Sequence, residues 1–218
     1  MSLNVERARF NMIEQQVRPW DVLDARVLAV LGEVRREEYV SAEHRQLAFA
    51  DLELPLAHGE FMMKPVIEGR VLQALDVKPG DGVLEIGTGS GFLTACLARL
   101  GQDVVSVEQH ADLAATARER LQRDGIGNAK VEVAEAVRDF QPGREFDVVV
   151  LTGAVHTLPE HFKSWLKPGG RLFAVIGESP VQQAIVFTRD GTTVRETSLF
   201  ETDLAYLTNA APPKRFTL

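Results

Sequence analysis

Cysteine is nearly absent. Cys96 stands alone among 218 residues, which excludes an internal disulfide and any zinc site built from several thiolates. Its surroundings, Leu93 to Leu97, have the character of a packed helix face, and no charged neighbour is placed to lower its pKa, so Cys96 reads as a structural thiol. Long apolar runs are missing too. Stretches such as 148–151 and 173–176 fall far short of the roughly 20 residues a membrane helix needs, so no membrane partner is expected. The N-terminal run MSLNVERARFNMIEQQ carries charges where a secretory signal has a continuous apolar core, and the expected address is cytoplasmic. Positive charge is in deficit: 24 Lys and Arg face 31 Asp and Glu, for a formal net charge of −7. Nucleic-acid affinity rests largely on Lys and Arg contacts to phosphate, so no nucleic-acid partner is expected either.

What remains is the composition of an ordinary globular chain, 45% hydrophobic and 25% charged, with enough apolar material for one sizeable core. Two regions differ in pattern. Residues 1–78 read as helices and loops: Val22, Leu23, Val27, Leu28, Val30 and Leu31 recur at helical spacing, and no run there alternates cleanly enough to predict a strand. Residues 79–218 read as a core packed with the first segment into one unit. Short β-branched or apolar runs at 82–86, 103–107, 130–134, 146–151 and 171–176 alternate with helical stretches at 92–100 and 111–124. That alternation predicts an α/β fold with a parallel sheet covered on both faces. Two more strand-like runs, 184–189 and 193–200, flank Asp190 and Gly191, a hairpin signal. Pro212 and Pro213 mark an extended tail.

The sharpest chemistry lies in Val83-Leu84-Glu85-Ile86-Gly87-Thr88-Gly89-Ser90-Gly91. An apolar strand runs into glycines at alternate positions, and an apolar helix follows. Glycines there allow a tight turn and bring backbone N–H groups close to a ligand at a helix N-terminus. The spacing is G-x-G-x-G; the third glycine of a dinucleotide fingerprint would fall on Phe92, which weakens a nicotinamide reading. Glu85 adds an acceptor suited to a cation such as the amino group of a methionine moiety. The second strand run ends in Glu108, where a carboxylate can accept from both hydroxyls of a ribose. A glycine turn followed by a strand-terminal carboxylate points to an adenosyl cofactor.

These residues, together with Leu166-Lys167-Pro168-Gly169-Gly170-Arg171-Leu172, resemble class I S-adenosyl-L-methionine-dependent methyltransferases. The resemblance implies a Rossmann-like, mostly parallel seven-stranded sheet with an antiparallel C-terminal hairpin and a preceding helical segment. It assigns the cofactor to Glu85, Gly87, Thr88, Gly89, Gly91 and Glu108, with Glu135, in Val133-Ala134-Glu135-Ala136 where the usual pattern is Gly-Asp, at the adenine. A closer resemblance is to the protein-L-isoaspartate O-methyltransferases. It is carried by Arg35-Arg36-Glu37-Glu38-Tyr39-Val40, by Ala48-Phe49-Ala50-Asp51 and Leu54-Pro55-Leu56, and by Val150-Leu151-Thr152-Gly153-Ala154 with Leu158-Pro159. It adds Thr152 to the cofactor residues and implies damaged protein or peptide as methyl acceptor.

One element departs from that family. Its loop reads close to Gly-x-Gln-Thr-Ile-Ser-x-Pro, with a serine hydroxyl that helps hold substrate. Here the stretch is His58-Gly59-Glu60-Phe61-Met62-Met63-Lys64-Pro65, with no hydroxyl. His58, Phe61, Met62 and Met63 are the candidate substrate-loop residues, and a thioether cannot donate the lost hydrogen bond. The expectation is methyl transfer to a carboxylate with very low or absent turnover on isoaspartyl peptides. A small-molecule acceptor against an apolar Phe61-Met62-Met63 wall, or cofactor binding without catalysis, are the alternatives. An ionised carboxylate needs alignment with the methyl group and no general base, so no catalytic side chain and no metal ligand is expected. For a phenol or amine acceptor His58 is the best-placed base, though it reads more readily as a residue that shapes the loop. His44, His110, His156 and His161 read as surface or packing residues, and Trp20 and Trp165 as core or interface aromatics.

Overall fold

In the computed structural model, residues 4–213 are described. The chain opens with α1 (Val5–Met12), whose cap Asn4 accepts from the Arg7 N–H, followed by a wide turn at Ile13–Val17 and a tight one at Arg18–Trp20. Asp24 caps α2 (Ala25–Glu33) in the same way, its carboxylate accepting from Arg26. Next come β1 (Leu54–Pro55), β2 (Phe61–Met62) and α3 (Pro65–Leu75). Proline suits the first turn of α3, where an N–H has no helical partner.

The second region alternates: β3 (Gly82–Ile86), α4 (Phe92–Leu100), β4 (Asp103–Glu108), α5 (Ala111–Arg123), β5 (Ala129–Val133), β6 (Phe146–Val155), α6 (Glu160–Ser164), β7 (Leu166–Glu178), β8 (Val181–Asp190) and β9 (Thr193–Thr202). The sheet has seven strands in the order β5-β4-β3-β6-β7-β8-β9. Neighbours from β5 to β7 run parallel; β8 and β9 are antiparallel additions. Strand order reverses beside β3, which has β4 on one side and β6 on the other. In such sheets a crevice opens beyond the C-terminal ends of the strands at that point.

Every residue of β3 is buried, as a central strand covered on both faces requires. Val83 joins one apolar cluster with Met12, Leu31, Leu72 and Cys96, and Leu84 joins another with Val149, Phe162 and Leu172. Successive side chains of a strand point to opposite faces, so these clusters are the two layers over the sheet. The N-terminal helices thus share a core with one face of the sheet. Cys96 lies in that core, and burial pushes its thiol well up from the ordinary value.

Strand and helix positions in 79–218 follow the sequence pattern closely. One difference arises at proline and glycine: β7 begins at Leu166 and runs through Pro168-Gly169-Gly170, with an irregular register against β6 and Gly169 at φ 80°, whereas the pattern predicts a strand only from residue 171. The reading of 1–78 as helices and loops is corrected by the β1–β2 hairpin, whose pairs are Leu54 with Met62 and Pro55 with Phe61. Two residues are too few to alternate visibly. Trp165 is buried, while Trp20 is 52% exposed and is no core residue. No helix among the described residues is long and apolar enough to cross a membrane.

Candidate functional site

A cleft of about 950 Å³, open to solvent, lies at the C-terminal ends of β3, β4 and β6. Its floor is the glycine turn. Gly87, Gly89 and Gly91 have φ of 95°, 52° and 86°, a region that favours glycine. At Gly87 a Cβ would stand 2.2 Å from Thr152 Oγ1, and at Gly91 one would meet Ala117 Cβ at 3.2 Å. The first glycine therefore keeps the cleft floor low, and the third lets the start of α4 pack on α5. Thr152 holds the turn from β6 by donating toward Ile86 O at 3.0 Å and Gly87 O at 2.7 Å.

The carboxylates come to the turn along neighbouring strands. Glu108, the last residue of β4, accepts from Gly89 N at 2.8 Å through one oxygen and from His110 N at 3.0 Å through the other. Each oxygen keeps a second lone pair, so the carboxylate is held flat at the cleft wall and can still accept from a diol. Glu85 is paired in register with Ser106 of β4. Its Oε2 accepts from Ser106 Oγ at 2.6 Å and from Thr94 Oγ1 at 2.5 Å, and because Ser106 donates there, Thr88 Oγ1 donates to Ser106 at 2.5 Å. Burial pushes the Glu85 carboxyl up to about 7 against the pull of these hydroxyls, with Glu108 adding a smaller push. Glu135, just past β5, accepts from Val137 N at 2.8 Å.

Glu85 Oε1 and Glu135 Oε2 are buried and without a hydrogen-bond partner among the described residues. Such atoms are costly unless a ligand supplies donors. Six glutamates line the cleft, and among the described residues no Lys, Arg or His does. A ligand bearing ammonium and sulfonium charge, a diol and an exocyclic amine matches the acceptors Glu85, Glu108 and Glu135, so the residues present fit S-adenosyl-L-methionine.

The opposite wall is formed by the β1–β2 hairpin and the residues after it. Met62 and Met63 are buried and Phe61 is 47% exposed; all three line the cleft. His58 does not. It takes a left-handed conformation at φ 61°, stacks on His110 with ring centroids 4.0 Å apart, and sets Nε2 2.9 Å from Asp112, so it shapes the loop's outer edge. Asp112 is held below its ordinary range by that contact with His58. Above the cleft runs the segment after β9: Ala154 N donates to Ala205 O and Leu207 N to Ala154 O, both at 2.8 Å. Gly153 permits this approach, since a Cβ would lie 3.0 Å from Leu207.

Of the residues singled out from sequence, Glu85, Gly87, Thr88, Gly89, Glu108, Glu135, Thr152, Phe61, Met62 and Met63 meet in this cleft, while Gly91 and His58 stand just outside its lining. Sequence reasoning missed Ser106, whose signal was a hydroxyl inside an otherwise apolar strand opposite Glu85. It also missed Glu68, a fully buried carboxylate of α3 that lines the cleft; burial pushes its carboxyl up, and the Arg36 guanidinium pulls it back toward the ionised form. The Leu204–Thr208 segment carries no motif at all.

Comparison with known proteins bears on the fold and the family. A Methanoculleus marisnigri protein-L-isoaspartate O-methyltransferase is 36% identical over 179 residues, 82% of this chain and 81% of that one. A Koribacter versatilis protein of the same name is 34% identical over 195 residues, 89% of this chain and 87% of that one. In fold, a Plasmodium falciparum structure titled as a protein of this kind in complex with S-adenosyl-L-homocysteine superposes with a TM-score of 0.81 at 21% identity, covering 95% of this chain and 99% of the other. The model of the protein-L-isoaspartate(D-aspartate) O-methyltransferase family matches residues 8–209, and the chain belongs to that family.

Proposed function

We propose that the protein transfers the methyl group of S-adenosyl-L-methionine to the side-chain carboxylate of isoaspartyl residues in damaged proteins or peptides, in the cytoplasm. The observation that carries this reading is the set of carboxylates held at the strand ends around the glycine turn, in a chain of this family. Glu108 would accept from the ribose, Glu135 from the adenine amino group and Glu85 from the methionine amino group, with Gly87–Gly91 backbone against the adenosine. The cofactor supplies an electrophilic methyl on a sulfonium. The carboxylate oxygen forms its bond to that methyl as the bond to sulfur breaks, leaving an ester and a neutral thioether, so no proton has to move. The chain's contribution is alignment and exclusion of water. A loop without hydroxyl donors keeps turnover low, because a carboxylate that leaves water without replacement donors pays a penalty of several kcal/mol.

A second reading, methylation of a small apolar metabolite, is favoured by the half-exposed Phe61 beside Met62 and Met63. One assay separates them: methyl-labelled cofactor with an isoaspartyl peptide and its ordinary aspartyl counterpart. Base-labile label on the isoaspartyl peptide alone is expected. If label stays at background on both peptides while S-adenosyl-L-homocysteine binds, the isoaspartyl reading is wrong.

A further inference from the structure

Arg36 is fully buried, and its guanidinium joins four separate pieces of the chain. Nε donates to Ala48 O at 2.9 Å, Nη2 donates to Met63 O at 2.7 Å, and Nη1 donates to the carboxylate of Glu68, which is itself 2% exposed. The plane lies over the ring of Phe92, 5.0 Å from its centroid. Phe92 is the first residue of α4, set directly on the glycine turn: Gly91 precedes it as the helix cap, and its N–H donates to Ser90 Oγ at 3.2 Å. Met63 and Glu68 both line the cleft. One rigid fork therefore touches the acceptor wall with one arm and the cofactor-side helix with its face.

A buried ion pair is a poor device for stability alone. Its desolvation cost offsets most of its attraction, and hydrophobic residues of similar size commonly hold a fold as well or better. What a guanidinium offers over methionine or lysine is fixed geometry, with donors at set angles and a flat face. We propose that Arg36, neutralised by Glu68, is the positioning residue of the acceptor loop: it sets the distance between the Met62–Met63 wall and the glycine turn, and so the room for a methyl acceptor beside the cofactor. This rests on the reading that the hairpin side receives the acceptor.

The test compares the unmodified protein with Arg36→Met/Glu68→Met and with Arg36→Lys. Thermal unfolding, S-adenosyl-L-homocysteine affinity by calorimetry, amide hydrogen exchange of residues 60–64, and kcat and KM on an isoaspartyl peptide are measured for each. The paired methionine variant is expected to stay folded and to bind the thioether product within about twofold, while exchange in 60–64 speeds up and acceptor KM rises about tenfold. Unchanged exchange together with unchanged KM in that variant would overturn the proposal and leave the pair a packing element. If the methionine pair does not fold, Arg36→Lys, which keeps a charge opposite Glu68 but loses the fork, decides by the same two readouts. If the unmodified protein methylates no isoaspartyl peptide, the functional reading fails, and the exchange measurement still decides whether Arg36 holds the loop.

Discussion

The two walls of the cleft are built on different principles. On the side of the glycine turn, each carboxylate named above is tied down from neighbouring elements: Glu108 by the N–H groups of Gly89 and His110, Glu135 by that of Val137, and Glu85 by hydroxyls of the next strand and the following helix. On the hairpin side, a two-residue strand carries the half-exposed Phe61 and Met62, Met63 follows it, and the tie is the guanidinium of Arg36, which holds the Met63 carbonyl. A wall in which every carboxylate has its own ties tolerates little change, because each substitution frees N–H or hydroxyl donors that only that carboxylate satisfies. A wall held through a backbone carbonyl by one arginine can exchange its own side chains without losing that tie.

The comparison breaks most severely at Gly87. Gly87→Val places side-chain atoms where Thr152 Oγ1 now stands and forces a β-branched residue to φ 95°. Affinity for S-adenosyl-L-homocysteine should fall by more than about a hundredfold. Calorimetry showing binding within a few fold of the unmodified protein would mean the turn is not the cofactor floor. Next comes Glu108→Ala, which removes the expected ribose acceptor and also frees Gly89 N and His110 N. A loss of about 1.5–3 kcal/mol, ten- to a hundredfold in affinity, is expected by the same measurement. Unchanged affinity would take Glu108 out of the site.

A smaller effect tests the buried carboxyl of the cofactor wall. Burial raises Glu85 from 4.5 to about 7, so between those values the folded chain holds a proton that the unfolded chain releases. The stabilisation tied to that proton is complete below the unfolded value and is lost as pH rises through the folded one. Glu85→Gln removes this dependence. The decline in unfolding free energy from about pH 5 to about pH 8 should shrink by on the order of 1–2 kcal/mol in the variant, read from denaturant melts. Parallel profiles for the two proteins would show that Glu85 keeps an ordinary carboxyl.

The smallest effect belongs to the acceptor wall, where Phe61→Thr with Met63→Ser restores hydroxyls. Isoaspartyl turnover should rise several-fold, by about 1 kcal/mol of added hydrogen bonding, with product affinity unchanged. A fast unmodified enzyme that neither Met63→Ser nor the double change improves would show that this loop never needed donors.

How much was legible in sequence follows from the same division. The G-x-G-x-G turn, Glu85 and Glu108 lie within about one β-α-β unit, where period and glycine placement report directly on backbone conformation. The β1–β2 hairpin was invisible because two residues per strand show no period. Glu68 was invisible because a glutamate in a helix is ordinarily solvated; only packing of α3 under the 36–38 turn buries it against Arg36.

By itself, then, the sequence determined the alternation of strands and helices, the turn between β3 and α4, and the carboxylate at the end of β4, since each depends on neighbours a few residues apart. Tertiary structure alone decided which hydroxyl meets Glu85, that the Leu204–Thr208 segment lies over the glycine turn, and that Arg36 reaches Met63 and Glu68. Those contacts join residues distant along the chain, and their existence depends on register between strands and on burial, quantities that no local pattern of residues encodes.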